Sequence, residues 1–146
     1  MLSAEEILRR FRDLVNNAFH KHNFEISYDQ WIVLQTLSEQ QGVTQVSIAK
    51  NTLKEPASIS RILKLLEKKE LIEKIDDRKN KRAKRIYLTP KGDEVQKKAT
   101  RLFNTIAKEG FDGVYEQEIN LFVRILDKVQ VNFVELGEKR ETRLSA

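Results

Sequence analysis

Residues 56–91, PASISRILKLLEKKELIEKIDDRKNKRAKRIYLTPK, decide the fold of this chain. Pro56 suits the first position of a helix, where an absent N–H loses nothing. Ile59, Ile62, Leu63 and Leu66 then fall on one face of the following turns, which predicts a helix over 56–68. Glu70 to Ile75 and Arg85 to Thr89 alternate enough for two strands, joined by the basic loop Asp76 to Lys84. Just upstream, Thr44 can cap a helix of two turns bearing Val46, Ile48 and Ala49, and Asn51 to Lys54 reads as a tight connection. The order is therefore helix, turn, helix, hairpin.

The same stretch carries the chain's charge imbalance. Between Asp76 and Lys91 stand Arg78, Lys79, Lys81, Arg82, Lys84, Arg85 and Lys91 against only Asp76 and Asp77. The whole chain has 27 Lys and Arg against 22 Asp and Glu, so 20 of each sign remain elsewhere and cancel. A solvated loop is the plain alternative. Confinement of the excess to one hairpin argues for a contact surface, because clustered cations release condensed counterions when they dock on phosphate.

Working outward, residues 3–20 place Ile7, Leu8, Phe11, Leu14, Val15, Ala18 and Phe19 at helical spacing, with Ser3 and Glu6 in capping-box relation. This stripe lies near enough to the terminus to pack on a second subunit. A second helix, Tyr28 to Gln40, opens on the Ser27–Gln30 box, presents Trp31, Ile32, Leu34 and Leu37, and is stopped by Gly42. Thr89 and Pro90 begin another helix that runs to about Lys108 with Val95, Leu102, Phe103 and Ile106 inward, before Gly110 and Gly113 break it. The last helix, about Tyr115 to Leu136, carries Ile119, Phe122, Val123, Leu126, Val129, Phe133 and Leu136 in steps near 3 and 4, the spacing of a helix–helix seam. Gly137 to Ala146, polar and terminal, is expected to fray.

A chain of 146 residues supports one domain with a real core. It has no apolar run of membrane-spanning length and no signal-peptide layout, so a soluble, cytoplasmic protein is expected. The lack of cysteine removes disulfides, thiolate nucleophiles, thiol redox sensing and Cys-based zinc sites. His20 and His22, spaced i, i+2, point apart on a helix, and no metal or other cofactor is expected. Gly-rich phosphate loops and nucleophile elbows are missing, so the sequence does not read as an enzyme.

On helix 56–68, Ala57, Arg61, Lys64 and Lys68 point away from the apolar face, with Ser58 and Ser60 on the flanks. A small, cationic face of this kind suits the major groove of duplex DNA. Arg61, with its planar fork, is the candidate for reading a guanine edge, whereas Lys64 and Lys68 suit phosphate. In the hairpin, Arg82 among Lys79, Lys81 and Lys84 can enter a narrow minor groove.

These residues resemble the multiple antibiotic resistance regulator (MarR) family of winged helix-turn-helix transcription factors over about Ser3 to Leu136. The clearest stretch is SISRILKLLEKKELIEKIDDRKNKRAKRIYLTPKG, with a weaker match in YDQWIVLQTL. The resemblance implies a mainly α fold with a small β-hairpin wing: a winged DNA-binding lobe at 28–91, and a helical dimerisation region from 1–27 and 92–146. It implies a homodimer, with first and last helices intertwined, that represses transcription from a pseudo-palindromic operator and releases it on binding a small effector. Carried over by position, Ser58, Ser60, Arg61 and Lys64 resemble the base- and phosphate-facing residues, and Arg82 the wing-tip Arg. Two departures stand out. Asn80 replaces the usual Asp two residues before that Arg, and Glu70 replaces the usual Gly at the end of the reading helix.

Family members commonly bind small, often phenolic, effectors in a crevice between the dimerisation helices and the winged lobe. Phe11, Phe19, Tyr28 and Trp31 can line such a crevice for a small aromatic effector, and they fit a core equally well. The rival function is a winged module that docks on protein instead of DNA. Such a module need not gather its excess charge on the wing.

Overall fold

A computed structural model describes residues 3–80 and 82–144, with side chains described through residue 140. Its elements are α1 (Ala4–Lys21), α2 (Tyr28–Glu39), α3 (Gln45–Thr52), α4 (Pro56–Lys68), β1 (Ile72–Asp76), β2 (Lys84–Leu88), α5 (Pro90–Gly110) and α6 (Glu116–Leu144). Two compact units meet between Ala107 and Lys108.

Both expected capping boxes form. The Ser3 hydroxyl accepts the Glu6 N–H and the Glu6 carboxylate accepts the Ser3 N–H; Ser27 and Gln30 do the same for α2. Thr44 caps α3 by accepting the Ser47 N–H, and Pro56 opens α4. The core of the first unit is built by Val15 and Phe19 from α1, Trp31, Val33, Leu34 and Leu37 from α2, and Ile48 from α3. Ile59, Leu63 and Leu66 from α4, Ile72 from β1, Ile86 and Leu88 from β2, and Ala99 and Ile106 from α5 pack into the same cluster. Each fully buried Leu or Ile on α4 contributes about 1.5–3 kcal/mol, which holds that helix by its inner face and leaves the outer one free.

β1 and β2 pair antiparallel from Ile72 opposite Leu88 to Asp76 opposite Lys84. β1 begins two residues later than the expected 70–75, because Glu70 lies outside the ladder in a left-handed conformation (φ 58°) that turns the chain out of α4, and β2 begins one residue earlier than the expected 85–89. Its N–H donates to Glu67 O, and Leu71 N–H to Leu66 O. A third segment joins the sheet. Val43 forms a bridge with Ile86, the Gly42 N–H donates to Ile86 O (2.9 Å), and Ile86 N–H returns to Val43 O (2.9 Å). Gly42 therefore does not stop α2, which ends at Glu39 with extended Gln40 following. Gly42 is needed where it is because a Cβ there would stand 2.8 Å from the Tyr87 hydroxyl and its φ is +71°.

The start of α5 is locked to the end of α4. Thr89 N–H donates to Leu71 O (3.1 Å), Thr89 Oγ1 donates to Glu70 O (2.7 Å) and Lys91 Nζ to Lys69 O (2.9 Å), so three successive carbonyls leaving α4 are satisfied by residues 89–91. Thr89 Oγ1 also accepts the Gly92 N–H as the N-cap of α5. A Cβ on Gly92 would lie 1.9 Å from Leu71 O, so the start of α5 passes the residue before β1 where only glycine fits.

In the second unit α6 continues to Leu144, eight residues past the expected end at Leu136. The expectation of fraying from Gly137 is thus corrected as far as Leu144; Ser145 and Ala146 lie outside the described residues. One glycine costs a helix about 1 kcal/mol, which the good helix formers around it offset, with Glu135 and Lys139 paired at i, i+4. The seam residues Phe122, Val123, Leu126, Val129, Phe133 and Leu136 are all exposed in the single chain, Phe133 to 69%.

Candidate nucleic-acid interface

The outer face of α4 emerges as its inner spacing requires. Ala57, Ser58, Ser60, Arg61, Lys64 and Lys68 are all exposed, and no ion pair engages Arg61, Lys64 or Lys68 among the described residues. No side chain caps the N-terminus of α4, so its positive dipole end stays available to an anion.

In the hairpin the cations divide into two sets. Arg85 is spent on structure: its Nε donates to Asp77 Oδ2 (2.6 Å) and its Nη1 to Gly42 O (3.0 Å), tying the wing to the segment after α2. Lys84 pairs with Asp76 (2.8 Å), which raises its ammonium pKa, and Lys91 serves the α4–α5 joint. Arg78, Lys79 and Arg82 stay exposed and without ion pairs among the described residues. Lys81 lies outside the described residues. Sequence reasoning passed over Arg78, which sits in the same basic run as the named lysines, and over Arg85, whose role depends on the distant Gly42 carbonyl.

Below the tip, side chains shape the turn. Asp77 Oδ1 accepts the Lys79 N–H (2.8 Å), and Asp77 N–H donates to Ala83 O (3.0 Å). The hydrogen bond from the Lys79 N–H, followed by the one from the Arg85 side chain, holds the Asp77 carboxyl below the usual carboxylate range. Asn80 Oδ1 accepts the Arg82 N–H (3.1 Å) while Asn80 O accepts the Ala83 N–H (2.8 Å). Asn80 thus shapes the backbone leading into Arg82 through an acceptor oxygen, which needs no negative charge.

The four aromatic residues singled out from the sequence come together in the first unit. Phe19 has no exposure and Trp31 is 4% exposed, while Phe11 and Tyr28 are half-buried. Phe103 from α5 joins them, stacked on Trp31 at 4.2 Å between centroids and edge-on to Phe11 at 5.6 Å. The Arg12 guanidinium lies over the Tyr28 ring at 5.8 Å, and burial raises the Tyr28 hydroxyl pKa. His20 and His22 sit exposed at the end of α1.

Residues 26–84 match the model of the MarR family. Among solved structures, S. aureus MepR in a DNA complex is 25% identical, with 88% of this chain and 94% of that chain covered at a TM-score of 0.81. The transcriptional regulator SlyA is 27% identical, over 88% of this chain and 89% of that one, at 0.78. An E. coli MarR mutant complexed with operator DNA has the same fold at 20% identity, with 86% and 89% covered and a TM-score of 0.78.

Proposed function

We propose that the chain is a transcriptional regulator of the MarR family, whose model its residues 26–84 match, and that it represses transcription as a homodimer bound to a pseudo-palindromic DNA operator. One observation carries this reading. The cations that have no ion pair among the described residues, Arg61, Lys64 and Lys68 on α4 and Arg78, Lys79 and Arg82 in the wing, lie on two elements of one lobe, joined directly by β1. A helix in the major groove and a wing at the adjacent minor groove would together hold one stretch of backbone. In this reading Ala57, Ser58, Ser60 and Arg61 face base edges, Lys64, Lys68, Lys79, Lys81 and Lys84 face phosphate, and Arg82 probes the minor groove. MepR and MarR are known in complexes with DNA.

The dimer rests on the exposed apolar residues of α1 and α6. Ile7, Leu8 and Leu14 on α1 are more than half exposed, and α6 exposes apolar residues along its length. A surface so apolar fits a second copy of the same helices. A small aromatic effector that weakens DNA binding would meet the half-buried edge of the aromatic cluster at Phe11 and Tyr28, where Arg12 supplies a cation. Selection of bound sequences from random duplex DNA, repeated with small phenols and aromatic carboxylates present, tests the whole reading. A two-fold-related site should emerge, and an effector should reduce its recovery. Recovery of unrelated sequences at every salt concentration would overturn it.

A further inference from the structure

Between α2 and α5 the apolar packing is interrupted by one group of hydrogen-bonded polar side chains. Trp31 Nε1 donates to Thr100 Oγ1 (3.0 Å), Gln96 Nε2 donates to Thr100 Oγ1 (3.0 Å) and to Gln35 Oε1 (2.6 Å), and Thr100 Oγ1 donates to Gln35 Oε1 (3.1 Å). Gln96 is 5% exposed and Trp31 4%. Every capacity of the Thr100 hydroxyl is filled, since a hydroxyl has one hydrogen to give and two lone pairs to receive. Both amide hydrogens of Gln96 and the single indole hydrogen of Trp31 are also used. Among the described residues no buried side-chain nitrogen or oxygen lacks a partner.

Such a group does what apolar packing cannot. Contacts such as Trp31 on Phe103 are non-directional and tolerate a small slide or roll of one helix on the other. The four polar groups satisfy one another in one register, and a displacement would leave buried donors and acceptors unpaired. α2 in turn is fastened to the reading helix by the other buried glutamine. Gln30 Oε1 accepts Lys69 Nζ (3.2 Å) from the residue after α4, and Lys69 also donates to Glu25 O. The chain of fixed contacts therefore runs from α4 through Lys69 and Gln30 into α2, and through Gln35, Gln96 and Thr100 into α5.

We propose that the Trp31–Gln35–Gln96–Thr100 network positions the reading lobe on α5, and so sets the separation of the two reading helices that the dimer presents to DNA. The four side chains touch no DNA; they act through the placement of α4. This rests on the homodimeric operator reading above. Its consequence is that the network governs tolerance to half-site spacing, while phosphate affinity is left to the cations on α4 and the wing.

The test is binding by the full chain to duplexes that carry the two selected half-sites at their preferred spacing or offset by one or two base pairs. An offset of two base pairs rotates one half-site by about 70° around the duplex. Wild type and Thr100→Ser, which keeps the hydroxyl, should lose affinity about tenfold or more at that offset, in the range of a misplaced base contact. Thr100→Val, which keeps the shape, should flatten the loss to about threefold or less, with an unchanged salt slope on unrelated DNA. Gln96→Met gives a second route to the same loss should Thr100→Val fold poorly. Identical spacing profiles in wild type and the folded variants would overturn the proposal and leave the homodimer intact. A wild-type protein indifferent to spacing would instead overturn the homodimeric reading, and the proposal with it.

Discussion

At Asp77 two hydrogen bonds, from the Lys79 N–H and from Arg85 Nε, meet in one carboxylate that lies near the base of the wing. Because the Lys79 N–H and then the Arg85 guanidinium favour its ionised form, its pKa in the folded chain falls below the unfolded value of about 3.9. A depressed carboxyl pKa means that the stabilisation is present above the unfolded value and disappears as pH falls through the folded one. The Lys79 amide resonance should therefore report a titration with its midpoint under about 3.9. A midpoint at or above that value would rule out these contacts in solution. Asp77→Asn should abolish the titration while keeping an acceptor for Lys79. Gly92 is the opposite kind of residue, defined by what it lacks. Gly92→Ala places a methyl 1.9 Å from Leu71 O, and should cost about 1–3 kcal/mol in urea unfolding because backbone must move to admit it. At Arg61 the expected effect is on binding alone. Arg61→Ala should lose about 1–3 kcal/mol on the selected site and relax the preference at one base pair, whereas a uniform loss on all sequences would make it a phosphate contact.

At the scale of elements, the turn out of α4 is strained by its own residue type. Glu70 holds φ 58° where a left-handed conformation costs an ordinary residue about 1–2 kcal/mol, and its contact with Lys91 is an exposed pair at 3.9 Å. Glu70→Gly should therefore raise stability, by about 0.5–1 kcal/mol after the greater flexibility of the unfolded chain is subtracted. A fall in the urea midpoint at unchanged slope would show that the Glu70 side chain contributes more than its exposure suggests. The elements themselves were legible where periodicity and caps coincide. Ser3 with Glu6, Ser27 with Gln30 and Thr44 with Ser47 mark starts that local hydrogen bonds enforce, and the α4 stripe from Ile59 to Leu66 tells inside from outside. What the sequence hid is non-local. The pairing of Gly42 and Val43 with Ile86 joins residues more than forty positions apart, and nothing in a single valine announces a strand. The end of α6 was misread for a different reason, since polar composition after Gly137 describes an exposed helix as well as a frayed one. In the wing, composition located the cations but could not sort Arg85, turned onto Asp77 and Gly42, from Arg78 and Arg82, which have no ion pair among the described residues.

Across the whole molecule the charge that first drew attention turns out to be unequal in availability, and this has a measurable consequence for DNA binding. Counterion release depends on cations that reach phosphate, not on formal charge. A lysine already paired with a carboxylate must give up that partner before it can neutralise phosphate. Lys84 is bound to Asp76 at 2.8 Å, while Lys79, Lys64 and Lys68 have no ion pair among the described residues. If Lys64, Lys68, Lys79 and Lys81 of each protomer reach the backbone while Lys84 stays on Asp76, a dimer neutralises about eight phosphates, and the log–log slope of affinity against salt should lie near −7. Lys79→Ala should lower the magnitude of that slope by about 2 in the dimer, one contact for each protomer. Lys84→Ala should change it less, because the variant frees Asp76 as it removes the cation and the net field at the wing is altered by a pair already closed. Equal changes from the two variants would mean that Lys84 leaves Asp76 on binding, and that the hairpin rearranges when it meets DNA. A slope near zero for the wild-type protein would remove phosphate contact from the α4–wing surface altogether, and would turn attention to protein docking by the same lobe.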